Sequence, residues 1–323
     1  MKKWPVLLLC VFLVILTGCQ VKQGSPKGND GNGYSLQDVR GQWIHLTEKP
    51  KRIISTTVTA DEILLDLVSH DRIIGMDKWV HDPGISMVHE AAKKIPHEVG
   101  DSAEYIVSLA PDLVILGESQ AKLAKTLENA GVPVFVYRSA KVISGIPQVI
   151  RTLGKAVGEA QRAEEMVNQL EKRLSDIQKK VDQIPAEKRK RGMTVLRFGP
   201  IGGEGTIIHD VMIHAGVIDV YNEVRPPYFG GDRLSMILSK EEFIQSDLDI
   251  IIMGNWSQGG AFKDSFQQLE DMYNDPAYSS MSVIQNRQVV VVPQKYVNCL
   301  SHHVADGIEA VYQAVYEQGE SGK

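Results

Sequence analysis

The sequence predicts an α/β protein of two lobes, each a parallel sheet covered by helices, with one long helix joining them and a ligand cleft between them. Three observations predict it. Short apolar runs alternate with amphipathic segments through both halves of the chain, a helical stripe separates the halves, and one local pattern occurs once in each half. The 323 residues are enough for two domains of ordinary size. With 43% apolar and 23% charged residues the composition is that of a globular protein. Lys and Arg number 35 against 40 Asp and Glu, a net charge of -5, so no large basic surface is available for a phosphate backbone. Nucleic acid is excluded as a partner on that ground.

Met1, Lys2 and Lys3 precede an apolar run of eleven residues over 6–16, shorter than the roughly 20 that a spanning helix requires. This reads as a signal peptide over 1–18. It ends in Leu16-Thr17-Gly18-Cys19, a lipobox pattern in which small residues fit the peptidase and the Cys19 thiol accepts the lipid. Removal of two lysines takes the side-chain charge from -5 to -5 - 2 = -7. Several acyl chains on Cys19 exceed the marginal binding of a single chain, which places the protein on the outer face of the cell membrane. Residues 19–33, rich in Gly, Asn, Lys and Ser, form a flexible tether. Of three cysteines, Cys10 leaves with the signal and Cys19 is lipidated, so Cys299 has no partner for an intrachain disulfide.

The N-terminal lobe is expected over 34–150. Residues 34–46, broken by Asp38 to Gly41, read as a hairpin, and 52–56 as the first sheet strand. Thr59-Ala60-Asp61-Glu62 reads as a capping box, after which Ile63, Leu64, Leu67 and Val68 mark a helical face. Strands follow at 73–75, 113–116 and 134–137, with a helix over 121–129. From Leu153 the apolar positions Val157, Ala160, Ala163, Val167, Leu170, Leu174, Ile177, Val181 and Ile184 recur in steps of three or four. They predict one connecting helix of about 30 residues within 151–188, ending at a solvated turn near Lys188. The C-terminal lobe, 189–323, then reads as strand 193–197, helix 207–215, strands 250–253 and 289–292, and a helix over 302–316.

The pattern that occurs twice is an acid eight positions before an Asp, then an apolar run and a glycine. Glu104, Asp112 and Gly117 form the first copy; Glu241, Asp249 and Gly254 form the second, 137 positions on. Each copy reads as a short surface helix led by an acid, then a buried strand, which makes the lobes alike and sets them to face one cleft.

Pro50-Lys51-Arg52-Ile53-Ile54-Ser55, Thr59 to Leu64, and Glu104 to Ile115 with its Ala110-Pro111-Asp112-Leu113 core, together with the lipobox, carry a resemblance. The chain resembles the substrate-binding lipoproteins of ABC importers for ferric siderophores, haem and cobalamin, the class III periplasmic binding proteins. The resemblance covers nearly all of the mature chain. It implies two Rossmann-like α/β lobes joined by a single rigid helix, with limited hinge closure and no enzymatic activity or cofactor of its own. It further implies that one acid on each lobe, Glu104 and Glu241, docks on arginines of a permease dimer served by a separate ATPase. Glu242 is a rival to Glu241. Exposed ion pairs contribute about 0 to 1 kcal/mol each, so such contacts set register more than affinity. The second lobe departs from the family pattern at Leu248-Asp249, where Pro-Asp is usual, and at Gly216-Val217-Ile218-Asp219, where Gly-Gly-x-Asn is common.

In open α/β sheets the ligand crevice lies beyond the carboxyl ends of the strands. Residues just past the expected strands are Thr57, Trp79, His81, Gly117, Glu118, Phe198, Asn255, Trp256 and Tyr296, with Tyr228 in a nearby loop. Trp79 and Trp256, on opposite lobes, supply walls for a flat macrocycle or an aromatic chelate. Arg197, Arg225 and Arg233 suit ligand carboxylates or a catecholate charge. His81 is a candidate axial ligand to haem iron or cobalt. His209 and His214 are five apart, so they are no zinc pair on one helical face, and the adjacent His302 and His303 are expected to point in different directions. No residue is assigned to a resident metal, and none to catalysis. The glycine-rich stretch 199–205 lacks the Gly-Lys-Ser/Thr ending of a P-loop and reads as a loop, and no Gly-x-Ser-x-Gly elbow occurs.

These readings describe a monomeric, membrane-tethered receptor that captures a metal chelate, with ferric siderophore and cobalamin nearly level and haem next. A receptor for free divalent metal, a surface hydrolase and a sensory lipoprotein are the alternatives.

Overall fold

The computed structural model describes residues 33–225, 237–256 and 265–317. Strands β1 (Tyr34–Gln37) and β2 (Trp43–Leu46) pair as an antiparallel hairpin. Asp38 closes it: its carboxylate accepts from the Arg40 and Gln42 amides while Gly41 takes φ +80.

The first lobe is built on β3 (Ile53–Ser55), β4 (Ile73–Asp77), β5 (His97–Val99), β6 (Leu113–Gly117) and β7 (Val134–Tyr137). They form a wholly parallel sheet in the order β5-β4-β3-β6-β7. Its helices are α1 (Val58–Leu67), α2 (His89–Ala92), α3 (Ala103–Ser108), α4 (Ala121–Asn129) and α5 (Ile146–Ala156). All three residues of β3, Ile53, Ile54 and Ser55, and all of β6 are buried, as expected of strands covered on both faces. The α1 start differs from the sequence expectation. Thr57, not Thr59, is the N-cap, and its hydroxyl accepts from the Ala60 amide. Asp61 and Glu62 are buried instead of capping the helix end in solvent.

The expected single helix from Leu153 onward is two helices. Helix α5 ends at Ala156, Gly158 takes φ +75, and α6 runs Ala160–Val181. A β-carbon on Gly154 would lie 2.3 Å from that of Ala163, so the bend lets α5 and α6 pack backbone to backbone. The apolar stripe was continuous because both helices bury the same side of the chain, so periodicity alone does not register the left-handed residue. Helix α6 still joins the lobes. Its Arg162 donates to the Asp66 carbonyl at the end of α1, and its Arg173 binds Asp306 and Glu309 of the second lobe at 2.8 and 3.0 Å.

The second lobe holds β8 (Arg191–Leu196), β9 (Gly199–Ile201), β10 (Ile218–Asp219), β11 (Ile250–Asn255) and β12 (Val289–Pro293). The parallel order is β10-β8-β11-β12, and β9 folds back antiparallel on β8. The glycine-rich stretch is therefore part strand, with only its later portion a loop. Helices α7 (Ile207–His214), α8 (Tyr221–Val224), α9 (Lys240–Ile244), α10 (Ser265–Asn274), α11 (Ser282–Gln285), α12 (Gln294–Val297) and α13 (Val304–Tyr312) complete the lobe, α13 running on into a wider turn over Gln313–Glu317.

The sequence repeat is a structural repeat. Glu104 lies in the first turn of α3 and Glu241 in the first turn of α9. Asp112 accepts from the Lys51 and Arg52 amides while its own amide donates to the Arg52 carbonyl. Asp249 does the same with Arg191, accepting at 2.8 Å from the amide and donating to the carbonyl. In each lobe the aspartate thus clamps the start of the central strand to the strand beside it.

One apolar core is shared by both lobes. It runs from Ile63 and Leu67 of α1 through Val167 and Leu170 of α6 to Val211 of α7 and Ile308 of α13. Separate clusters fill the outer faces of the two sheets, around Phe243 and Met253 in one and Ile106 and Leu127 in the other. Each fully buried Leu, Ile or Phe is worth about 1.5–3 kcal/mol, so a core spanning the junction restrains hinge motion.

Candidate functional site

The strand orders place a switch point between β3 and β6 in the first lobe and between β8 and β11 in the second, where consecutive strands depart to opposite sides. The carboxyl ends of β8 and β11 deliver Arg197, Phe198 and Trp256; the end of β4 delivers Trp79. These four side chains meet. They line a cleft of about 420 Å³ together with Val58, Thr59 and Glu62 of α1, Ile85, and Gln294, Lys295, Asn298, Cys299 and Leu300 around α12.

The Arg197 guanidinium lies over the Phe198 ring at 4.1 Å and over the Trp256 ring at 4.4 Å. Removal from water holds its pKa below the usual arginine value, and it remains a cation at any physiological pH. Trp79 meets Trp256 edge to face across the cleft, centroids 5.8 Å apart, and Phe198 is 59% exposed, so aromatic surface is open to a ligand from both lobes.

The lobes also touch through hydrogen bonds. Trp256 Nε1 donates to Asp82 Oδ2 at 2.8 Å, and the Lys295 amide donates to the Gly84 carbonyl at 2.9 Å. At the cleft floor Glu62 accepts from the Met87 amide at 2.8 Å and from the Ser301 hydroxyl at 2.5 Å. Cys299 Sγ is 3.5 Å from the same carboxylate. Burial, with Glu62 adding to it, pushes the Cys299 thiol well above its ordinary value, so it stays protonated and inert as a nucleophile. Behind the cleft, burial raises Asp77 to about 6; its carboxylate accepts from the Trp79 amide at 2.7 Å and so positions that tryptophan's turn.

Other residues expected at the cleft lie elsewhere. Thr57 is next to it, with its hydroxyl 2.8 Å from that of Tyr137. His81 is outside the lining set, its Nε2 3.8 Å from Glu98 Oε1. Tyr296 packs against the apolar core, and its backbone carries the close approach of Gly307. Arg225 binds the Glu242 carboxylate and the Ile237 carbonyl. That pair, with the capping box that Glu242 forms on Ser239, occupies Glu242 and leaves the exposed Glu241 as the outward acid of α9. Tyr228, Arg233 and Cys19 lie outside the described residues. Glu62, Lys295 and Cys299 were missed: Glu62 looks like a helix-start acid in sequence, and the others come from a lobe-crossing segment that carries no local motif.

His302 and His303 do not diverge as expected. Their rings stack with centroids 4.1 Å apart, and both face Asp66, at 2.8 Å and 3.5 Å from its Oδ2. Hydrogen bonds from the two histidines hold the Asp66 carboxyl well below its usual range. Burial opposes the charge on His303, yet Asp306 and Asp66 outweigh it and raise the imidazole to about 9.

The profile described as "Periplasmic binding protein" matches residues 53–296, well over half of the sequence. The chain belongs to the periplasmic binding protein family. Similar relatives include the uncharacterized ABC transporter substrate-binding lipoprotein YvrC of Bacillus subtilis, 22% identical over 97% of this chain and 96% of that one. A cobalamin-binding protein of Halobacterium salinarum is 24% identical over 67% of this chain and 57% of its own length. A probable siderophore-binding lipoprotein of B. subtilis, YfiY, is 25% identical over 70% and 69%. Among solved structures, the haem-binding protein RhuT of Roseiflexus superposes with a TM-score of 0.67 at 20% identity, covering 83% of this chain and 98% of that one. A possible iron-binding solute-binding protein of Staphylococcus epidermidis gives 0.66 at 19%, over 83% and 100%. The family accounts for the two-lobed fold, and its members bind solutes rather than transform them, so this periplasmic binding protein is not an enzyme and carries no cofactor of its own.

Proposed function

We propose that this protein is the lipid-anchored receptor of an ABC importer and that its cargo is an anionic metal chelate with aromatic faces, a ferric siderophore of catecholate type. The observation that supports this cargo is the Arg197 guanidinium held between Phe198 and Trp256, with Trp79 opposite. A fixed cation between open aromatic walls suits a ligand that is negatively charged and flat. Lys295 adds a second cation to the lining. Cobalamin is the second reading, favoured by relatives of that name; its corrin would use the same tryptophan walls and rely less on Arg197. Haem follows, since His81 is turned to Glu98 and not into the cleft.

Anchoring through Cys19 agrees with relatives named as lipoproteins, and among the described residues no helix is long and apolar enough to cross a membrane. Delivery to a permease dimer would use Glu104 and Glu241, which occupy matching positions on α3 and α9. The test is to mix the protein with ferric catecholate siderophores, cobalamin and haemin, desalt, and record the visible spectrum and tryptophan quenching. Retention of one ferric catecholate per chain, weakened at least tenfold by Arg197→Gln, is the expected result. Retention of cobalamin alone would transfer the assignment to the second reading, and loss of every chromophore would overturn both.

A further inference from the structure

A second group of chemically matched side chains lies away from the cleft, where the end of α1, the start of α13 and the middle of α6 come together. Asp66, His302 and His303 each offer one donor atom, and the three atoms lie within 4.8 Å of one another. They border a groove of about 480 Å³ whose far wall is α6, with Arg162, Glu165, Gln169 and Arg173.

We propose that Asp66, His302 and His303 form a binding site for a divalent transition-metal ion of the zinc class, one that clips the two lobes together independently of the chelate. Two imidazoles and a carboxylate are a donor set suited to such ions. Metal–ligand bonds of about 2.0–2.1 Å in a tetrahedral site set neighbouring donors about 3.4 Å apart. Asp66 Oδ2 and His303 Nε2 already have that spacing, at 3.5 Å. The 2.8 Å contact of Asp66 with His302 must open by roughly half an ångström to reach that tetrahedral spacing, and carboxylate rotation suffices.

The outer contacts agree with this assignment. His303 Nδ1 is 3.1 Å from Asp306 Oδ2, the carboxylate–imidazole pairing that directs the opposite nitrogen to a metal. His303 Nε2 is buried and faces the Asp66 carboxylate at a long 3.5 Å, so this polar contact is weak and open to exchange for a metal. Asp306 is in turn held by Arg173 at 2.8 Å. The two arginines of the groove are already engaged, Arg173 by Asp306 and Glu309 and Arg162 by the Asp66 carbonyl, and the groove leaves room for a water as fourth ligand. Binding displaces the proton that His303 shares with Asp66 and Asp306 and releases it to solvent.

The position gives the site its consequence. Asp66 belongs to the first lobe and the histidines to the second, and Glu62, one turn earlier on α1, already binds Ser301 beside His302. A metal at this point would extend that seam and stiffen the junction between lobes.

The test is calorimetric titration of the full-length chain, in detergent, with Zn(II), supported by the visible d–d bands of Co(II). One ion per chain is expected, with a higher melting temperature in its presence. Asp66→Asn and the double variant His302→Gln with His303→Gln should each weaken binding by a hundredfold or more, and Asp306→Asn by about tenfold. Circular dichroism and the denaturant midpoint without metal identify variants that have kept their fold, and Asp66→Asn, nearly isosteric, serves if the double variant fails to fold. Absence of saturable Zn(II) binding, or equal binding by folded Asp66→Asn protein, would overturn the site. Neither result depends on which chelate the cleft takes, so failure here leaves the proposed cargo untouched.

Discussion

Trp256 of the second lobe donates its indole N–H to Asp82 of the first, at 2.8 Å, at the mouth of the cleft. Asp82 is only 2% exposed, and its other oxygen accepts from the Gly84 amide. The residue that walls the cleft is thus also a fastening between lobes, so the proposed ligand wall and the lobe contact share one side chain.

Trp256→Phe keeps an aromatic wall but removes the donor, leaving a buried carboxylate oxygen without its partner at a cost of about 1–3 kcal/mol. The variant should melt at a lower temperature and show a larger radius of gyration in small-angle scattering without ligand. An unchanged scattering profile would show that the shared core and the remaining lobe-crossing hydrogen bonds hold the lobes together without this one.

Gly307 of α13 packs against α12 so closely that a β-carbon would lie 2.3 Å from the Tyr296 carbonyl oxygen. Backbone does not yield as a side-chain tip does, so Gly307→Ala should cost about 3 kcal/mol or more. Gly100, with nothing within 4 Å of its β-position and no positive φ, is the control, and Gly100→Ala should be neutral or slightly stabilising. Denaturant midpoints of the two variants decide the matter.

Asp77 titrates near 6 in the folded protein, above its ordinary 3.8, because burial disfavours its charge. The folded state therefore binds this proton more tightly than the unfolded one. Its contribution to stability is present below about pH 4 and is lost as pH rises through 6. Protonation also weakens the bond to the Trp79 amide. Tryptophan emission should change with a midpoint near pH 6, and Asp77→Asn should abolish that transition; a transition that survives the substitution would belong to another group.

Glu104→Arg combined with Glu241→Arg should leave chelate affinity unchanged and lower uptake by cells at least tenfold, because like charges would face each other at a permease carrying arginines. Glu242→Arg is a poor substitute, since it breaks the capping box and the Arg225 pair and should lower stability first. Normal uptake with both charges reversed would remove Glu104 and Glu241 from the docking surface.

Much of this architecture is legible in local pattern. Apolar runs such as 113–116 and 250–253 identify buried strands because parallel strands are covered on both faces, and the acid–aspartate–glycine repeat marks the likeness of the lobes because the aspartate clamp is a local backbone device. Trp79, Phe198 and Trp256 are found from strand ends alone, since topology forces those ends toward the crevice. The break at Gly158 is hidden by a stripe that both helices continue. Glu62, buried against Ser301, reads as a capping residue until the second lobe is packed on it. Asp66 and the two histidines are separated by more than 200 positions, and only the lobe junction brings them within hydrogen-bonding reach. Short-range periodicity and strand ends are properties of the chain itself, whereas which carboxylate is buried, and beside which imidazole, is set by long-range packing that no local spacing encodes.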